Sequence, residues 1–144
     1  MILAVMLRHI EYLYKGIEAI DREVKERMCP FEGEVERLNT ITGVEERSAQ
    51  TIIAEIGVDM NVFPTSGRLA SWAGLCPGNN ESAGKRKSGK TRKGSKVLRS
   101  TLVECAKAVG RSKNSYLSSQ YKRIAARRGR NRAAVAVGHT ILVI

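Results

Sequence analysis

Ser82 opens an 18-residue stretch, SAGKRKSGKTRKGSKVLR, that carries eight basic side chains and no acidic one. The cations are Lys85, Arg86, Lys87, Lys90, Arg92, Lys93, Lys96 and Arg99, spaced by Gly84, Gly89 and Gly94. A serine hydroxyl attacks phosphorus when a base takes its proton and neighbouring cations stabilise the charge that develops. Lys85, Arg86 and Lys87 supply the second requirement. A local base is missing, since His9 and His139 stand near opposite ends of the chain. By residue type alone Ser88 and Ser95 are nearly as eligible as Ser82, and a serine among glycines is more often a turn former. The charge points to a partner more directly. No compact core holds so much uncompensated positive charge, so the segment lies on the surface and suits backbone phosphate. The plainer alternative is a solvated basic loop with no particular ligand. Few aromatic residues accompany the cations, which argues against base stacking.

The elements that must position this stretch read as helical. Leu3, Met6, Leu7, Ile10, Leu13, Tyr14, Ile17, Ile20 and Val24 recur at three-and-four spacing, predicting one amphipathic helix over residues 2–28, ended by Pro30. Its apolar stripe either packs on its own core or zips onto a partner as a coiled coil. An acidic link (Glu32, Glu34, Glu36) leads to residues 38–57, LNTITGVEERSAQTIIAEIG, which read as a helix-hairpin-helix-like unit turning at Gly43. Such a turn offers backbone N–H groups to a phosphate, although Glu45 and Glu46 beside it repel one. Residues 64–77 suggest a turn and a short helix with Leu69 and Trp72 inward. Within the basic loop, residues 78–96, the part from Asn79 to Lys93 is expected to be mobile when free, since it has no apolar anchor. Helical patterns resume from Ser95 and from Tyr116, and RRGRNR (residues 127–132), with Arg128 and Arg130, forms a second basic patch. No long alternating segment appears, so the expected fold class is all-α, in two parts: residues 1–37 and residues 38–144.

Charge divides the chain in the same sense. Of the 144 residues, those before Lys85 carry a net charge of −5 and those from Lys85 onward +16, for +11 in all. This asymmetry points to a nucleic-acid role for the second half. No apolar run approaches the roughly 20 residues that span a bilayer. Cys29, Cys76 and Cys105 are too scattered for a zinc site or a disulfide framework, which fits a reducing cytoplasm. No metal ligand set is expected in this chain. The apolar ending AAVAVGHTILVI leads us to expect a piece of a longer protein.

The order of motifs is itself informative: ITGV…TIIAEIG, FPTSGRLASWAGLCPGNNESAGK, KGSKVLRSTLVECA, then RRGRNRAAVAVGHTILVI. Over residues 38–144 this resembles the C-terminal domain of the DEDD-type insertion-sequence transposases, the family that includes the Piv-like DNA invertases. Residues 1–37 are similar to the helical segment that precedes that domain. The resemblance implies DNA as partner, site-specific strand exchange, in some members a structured guide RNA, and assembly into homo-oligomers through the long helix. It also implies a RuvC-like N-terminal domain, absent here, whose acidic residues bind Mg2+. The nucleophile it implies lies after a Gly-Leu-x-Pro motif. Here that motif is Gly74-Leu75-Cys76-Pro77, followed by Ser82-Ala83-Gly84-Lys85, so the role falls on Ser82. Lys85, Lys93 and Arg99 are its expected phosphate contacts. The hairpin departs from the family pattern in having Glu45 in place of its second glycine. The alternative to an enzymatic part is a helical DNA- or RNA-binding module that only grips backbone.

Overall fold

The computed structural model describes residues 2–78 and 80–144; the side chains of Asn80 and Arg86 lie outside the described part. The chain forms two compact units, Met1–Gly33 and Glu34–Ile144. The first is dominated by helix α1, Ile2–Met28, whose 27 residues span about 40 Å. Lys25 and Arg27 in its last turn complement the helix dipole, and Arg27 Nε donates to Glu23 at 2.7 Å. None of its residues is buried. A short 3-10 turn at Cys29–Phe31, with Pro30 inside it, ends the run.

In the second unit α5 (Lys96–Arg111) is the hub. Its buried residues Leu98, Leu102, Cys105, Ala106 and Val109 repeat at helical spacing and form one face. Helix α7 (Arg130–Val143) packs on it through Ala133, Ala134, Val137 and Ile141. The two backbones come close: a Cβ on Gly138 would stand 3.1 Å from the Leu102 carbonyl oxygen. Helix α6 (Tyr116–Arg128) covers both. Its buried Ser118 donates its hydroxyl to the Ser112 carbonyl at 2.8 Å, so the polar group does not go unpaired. Burial pushes the Cys105 thiol above its ordinary range, against a smaller opposing pull from a hydrogen bond with Ser48.

Helices α2 (Glu32–Asn39) and α3 (Glu46–Ile56) complete this side, with Val35, Ala49, Ile52 and Ile53 in the core. The acidic link read from the sequence is therefore the start of a helix. Glu32 and Glu34 favour its N-terminal turn electrostatically, and Val35 gives it a core anchor. Between the two helices Gly43 has φ +86°, and a Cβ there would meet Val109 Cγ2 at 2.6 Å and the Cys105 carbonyl at 2.8 Å. Packing against α5 thus accounts for this glycine. Helix α4 (Ser66–Trp72) is capped by Thr65, whose hydroxyl accepts from the Arg68 N–H at 3.3 Å. Leu69 points inward as expected, but Trp72 is 44% exposed and rests on Phe63, ring centroids 5.7 Å apart. The core beside α4 is filled instead by small residues, Ala70 and Ala73.

The all-α reading holds, with one addition. The basic segment is not a formless loop: it folds as an antiparallel ribbon of β1 (Asn80–Ser82) and β2 (Lys85–Ser88).

Candidate nucleic-acid interface

The ribbon begins at its foot with paired backbone. Gly78 N–H donates to the Lys90 carbonyl at 2.8 Å, Arg92 N–H to the Cys76 carbonyl at 3.4 Å, and Pro77 faces Thr91. Farther out Asn80 pairs with Ser88, Glu81 with Arg86 and Ser82 with Lys85. Between the first two of these pairs β2 carries one more residue than β1. Lys87 is that bulged residue, and a bulge re-aims a side chain. The tip is the two-residue turn Ala83-Gly84 with φ +52° and +72°, positive at both positions as in a type I′ turn. Ala83 holds this conformation at a cost of about 1–2 kcal/mol.

Ser82 is therefore fixed at the exposed apex, directly across from exposed Lys85. The structure separates the three serines that composition left equivalent. Ser95 caps α5: its hydroxyl accepts from the Leu98 N–H at 3.1 Å and donates to Glu55 Oε2 at 2.6 Å. Ser88 accepts from the Lys90 N–H at 3.2 Å. The Ser82 hydroxyl makes no hydrogen bond among the described residues.

The foot is pinned to the helical core. Gly94 lies against the backbone of Gly74 and Trp72 so closely that a Cβ has no room, and the Ser95 N–H donates to the Trp72 carbonyl at 3.3 Å. Arg99, half-buried on α5, donates from one guanidinium nitrogen to the Gly74 carbonyl at 3.1 Å and to Thr91 Oγ1 at 2.6 Å. Arg99 thus ties together the segment entering the ribbon, the segment leaving it and the helix that follows.

A groove of about 1160 Å³ runs between β2 and the α6–α7 pair. Lys87, Lys90 and Arg99 line one side, Arg128 and Arg132 the other, joining the two basic patches that are separate in sequence. Of the remaining expected contacts, Arg92, Lys93 and Lys96 are exposed on the returning leg and at the start of α5, and Arg130 is exposed at the start of α7. Gly43 is accounted for by α5, as described, and the Arg86 side chain lies outside the described residues. Sequence reasoning missed Gln120 and treated His139 as a plain helix residue; both line the groove, brought there by the pairing of α6 with α7. No local pattern announces such a pairing. Among the described residues no three His, Cys, Asp or Glu gather to hold a metal, and no helix is long and apolar enough to cross a membrane.

Comparison with known proteins now adds to this geometry. Residues 35–122 match the model of the transposase family IS116/IS110/IS902. The chain belongs to that family. It is 33% identical over 101 residues to the transposase for insertion sequence element IS1328 of Yersinia enterocolitica, covering 69% of this chain and 30% of the relative. It is 32% identical over 108 residues to the transposase for insertion sequence element IS1111A of Coxiella burnetii, covering 72% and 29%. The chain thus aligns with under a third of the length of these curated relatives. No solved structure matches it. In this transposase family the matched segment includes the whole ribbon, Ser82 and the foot that holds it.

Proposed function

We propose that this chain is the C-terminal, DNA-handling part of a DEDD-type, Piv-like transposase, and that Ser82 is its nucleophile. The observation that carries the reading is the placement of Ser82. It stands exposed at the apex of a ribbon whose turn fixes it opposite Lys85, inside the family-matched segment and just after Gly74-Leu75-Cys76-Pro77. In the first step Ser82 Oγ bonds to a DNA phosphorus, its proton leaves to a base supplied from outside this chain, and the bond to a sugar oxygen breaks. In the second step a sugar hydroxyl of another strand attacks the phosphoserine, and the serine hydroxyl is restored. Bond energy is conserved across the two transfers. Lys85 and the ribbon cations would neutralise the phosphorane.

Mg2+ would be held by the acidic residues of the RuvC-like domain that the resemblance implies, where it would supply Lewis-acid stabilisation of the phosphorane. A structured guide RNA is a further partner consistent with the cationic surface. Assembly is proposed through α1. Leu3, Ile10, Ile17 and Val24 alternate with Met6, Leu13 and Ile20 at strict three-four spacing, the pattern of a two-stranded coiled-coil seam. Light scattering on the chain with and without residues 1–28 tests this: the intact chain should be a dimer and the chain without the helix a monomer, and an unchanged oligomeric state would remove α1 as the contact.

The catalytic proposal is tested in a full-length transposase carrying this domain, using a nicked suicide DNA substrate. Wild type should form a covalent protein–DNA adduct and Ser82→Ala should not. An adduct that persists in Ser82→Ala would overturn the assignment. If neither protein forms one while both bind DNA, the chain is a gripping module.

A further inference from the structure

The groove between β2 and the α6–α7 pair holds one side chain whose charge is not fixed. His139, half-buried on α7, lines it together with five cations: Lys87 on β2, Lys90 just after it, Arg99 on α5, Arg128 on α6 and Arg132 on α7. Among the described residues no acidic side chain lines the groove. Helix α4, which also meets α7, has Arg68 as its one charged residue, and Arg68 lies outside the lining. His139 makes no side-chain hydrogen bond among the described residues, which leaves its ring nitrogens to a ligand. Lysine and arginine keep their charge near neutral pH, whereas histidine changes its charge between about pH 5 and 8. Neither a DNA phosphodiester nor a paired base titrates in that range. A groove of fixed cations alone would therefore grip backbone equally across it. One with a histidine in its wall does not.

We propose that His139 is a proton-linked phosphate contact: it takes up a proton as backbone phosphate enters the groove, so that nucleic-acid binding tightens as pH falls. The inference rests on the nucleic-acid reading above and adds to it a residue that sets its pH dependence. Among the groove cations an imidazolium meets only repulsion. A phosphate oxygen brings the opposite charge and an acceptor for the ring N–H, and both favour the protonated ring. The sign follows from linkage. The bound state holds more protons than the free state, so affinity falls as pH rises through the histidine range. A protonated His139 also adds one more cation to the backbone contact, which steepens the salt dependence at low pH. A histidine with only a packing role would leave both profiles flat. His9, the other histidine of the chain, is exposed on α1 in the other compact unit and serves as the control.

The test is fluorescence anisotropy of the intact chain with a labelled DNA duplex from about pH 5.5 to 7.5, a window above the carboxylates and below the terminal amine and the thiols. A roughly ten-fold coupling between proton and phosphate weakens binding about five-fold across that window. Calorimetry midway, in two buffers of different ionisation enthalpy, should show a fraction of a proton taken up. His139→Gln keeps a polar side chain but cannot take the proton, and its pH profile should be flat. His139→Lys carries its charge throughout and should bind tightly at both ends of the window. His9→Gln should keep the profile of the unaltered chain. If the His139 variants fail to fold, nuclear magnetic resonance on the unaltered chain decides: the His139 ring should titrate at higher pH with the duplex bound than without it. A pH profile retained in His139→Gln, no proton uptake, or a ring titration unmoved by DNA would overturn the His139 proposal while leaving duplex binding intact. Binding of no duplex at any pH would overturn the nucleic-acid reading as well.

Discussion

The foot and the tip of the β-ribbon are built from the same residue types and do opposite things with them. At the foot, Arg99, Ser95 and Gly94 are spent on the fold: the guanidinium holds Gly74 and Thr91, the hydroxyl caps α5 and meets Glu55, and the glycine lets two backbones touch. At the tip, Lys85, Ser82 and Gly84 face solvent, and the hydroxyl has no hydrogen bond among the described residues. A basic, serine- and glycine-rich stretch is therefore two devices in series. One fixes the ribbon on a rigid helical core; the other presents an exposed serine and its neighbouring cations at the end of it. Positive charge marks the surface, and only the distribution of partners tells which charges remain for a ligand.

The comparison predicts that foot substitutions cost stability and tip substitutions cost function. Gly94→Val should have the largest effect, about 3 kcal/mol by urea denaturation, because its side chain meets the backbone of Gly74 and Trp72. Next is Arg99→Met, which keeps the stem but loses two bonds from a charged donor. It should cost about 1.5–3 kcal/mol and speed hydrogen exchange at Gly78 and Arg92, whose amides pair the foot. Ser95→Ala removes the α5 cap and should cost about 1 kcal/mol. At the tip, Lys85→Ala and Lys87→Ala should leave stability within about 0.5 kcal/mol and lower the salt slope of DNA binding by about 1 each. Should Lys85→Ala destabilise as much as Arg99→Met, the division between foot and tip would fail.

The sequence made some of this visible and hid the rest for physical reasons. Helices α1, α3 and α5 were legible because apolar residues repeat at 3.6-residue spacing, as with Leu98, Leu102, Cys105 and Val109. The start of α2 was hidden because Glu32 and Glu34, which favour its N-terminus, also look like a solvated link. The ribbon was hidden because β2 is Lys-Arg-Lys-Ser, with no apolar alternation. Its stability comes from backbone pairing and from Arg99 at a distance in sequence. Trp72 was misplaced because bulk alone suggested burial, whereas Ala70 and Ala73 fill that space. Ser82 could be picked out only by motif order, since chemistry alone left Ser88 and Ser95 beside it. The groove depends on the packing of α6 against α7 beside β2, which no local pattern encodes.

The most direct measurement is to locate the covalent bond itself. After reaction of a full-length transposase carrying this domain with a suicide DNA substrate, protease digestion and tandem mass spectrometry would identify the nucleotide-bearing peptide. The account predicts a phosphodiester-linked nucleotide on Ser82. A nucleotide on Ser88, Ser95, Tyr116 or Tyr121 instead would contradict it.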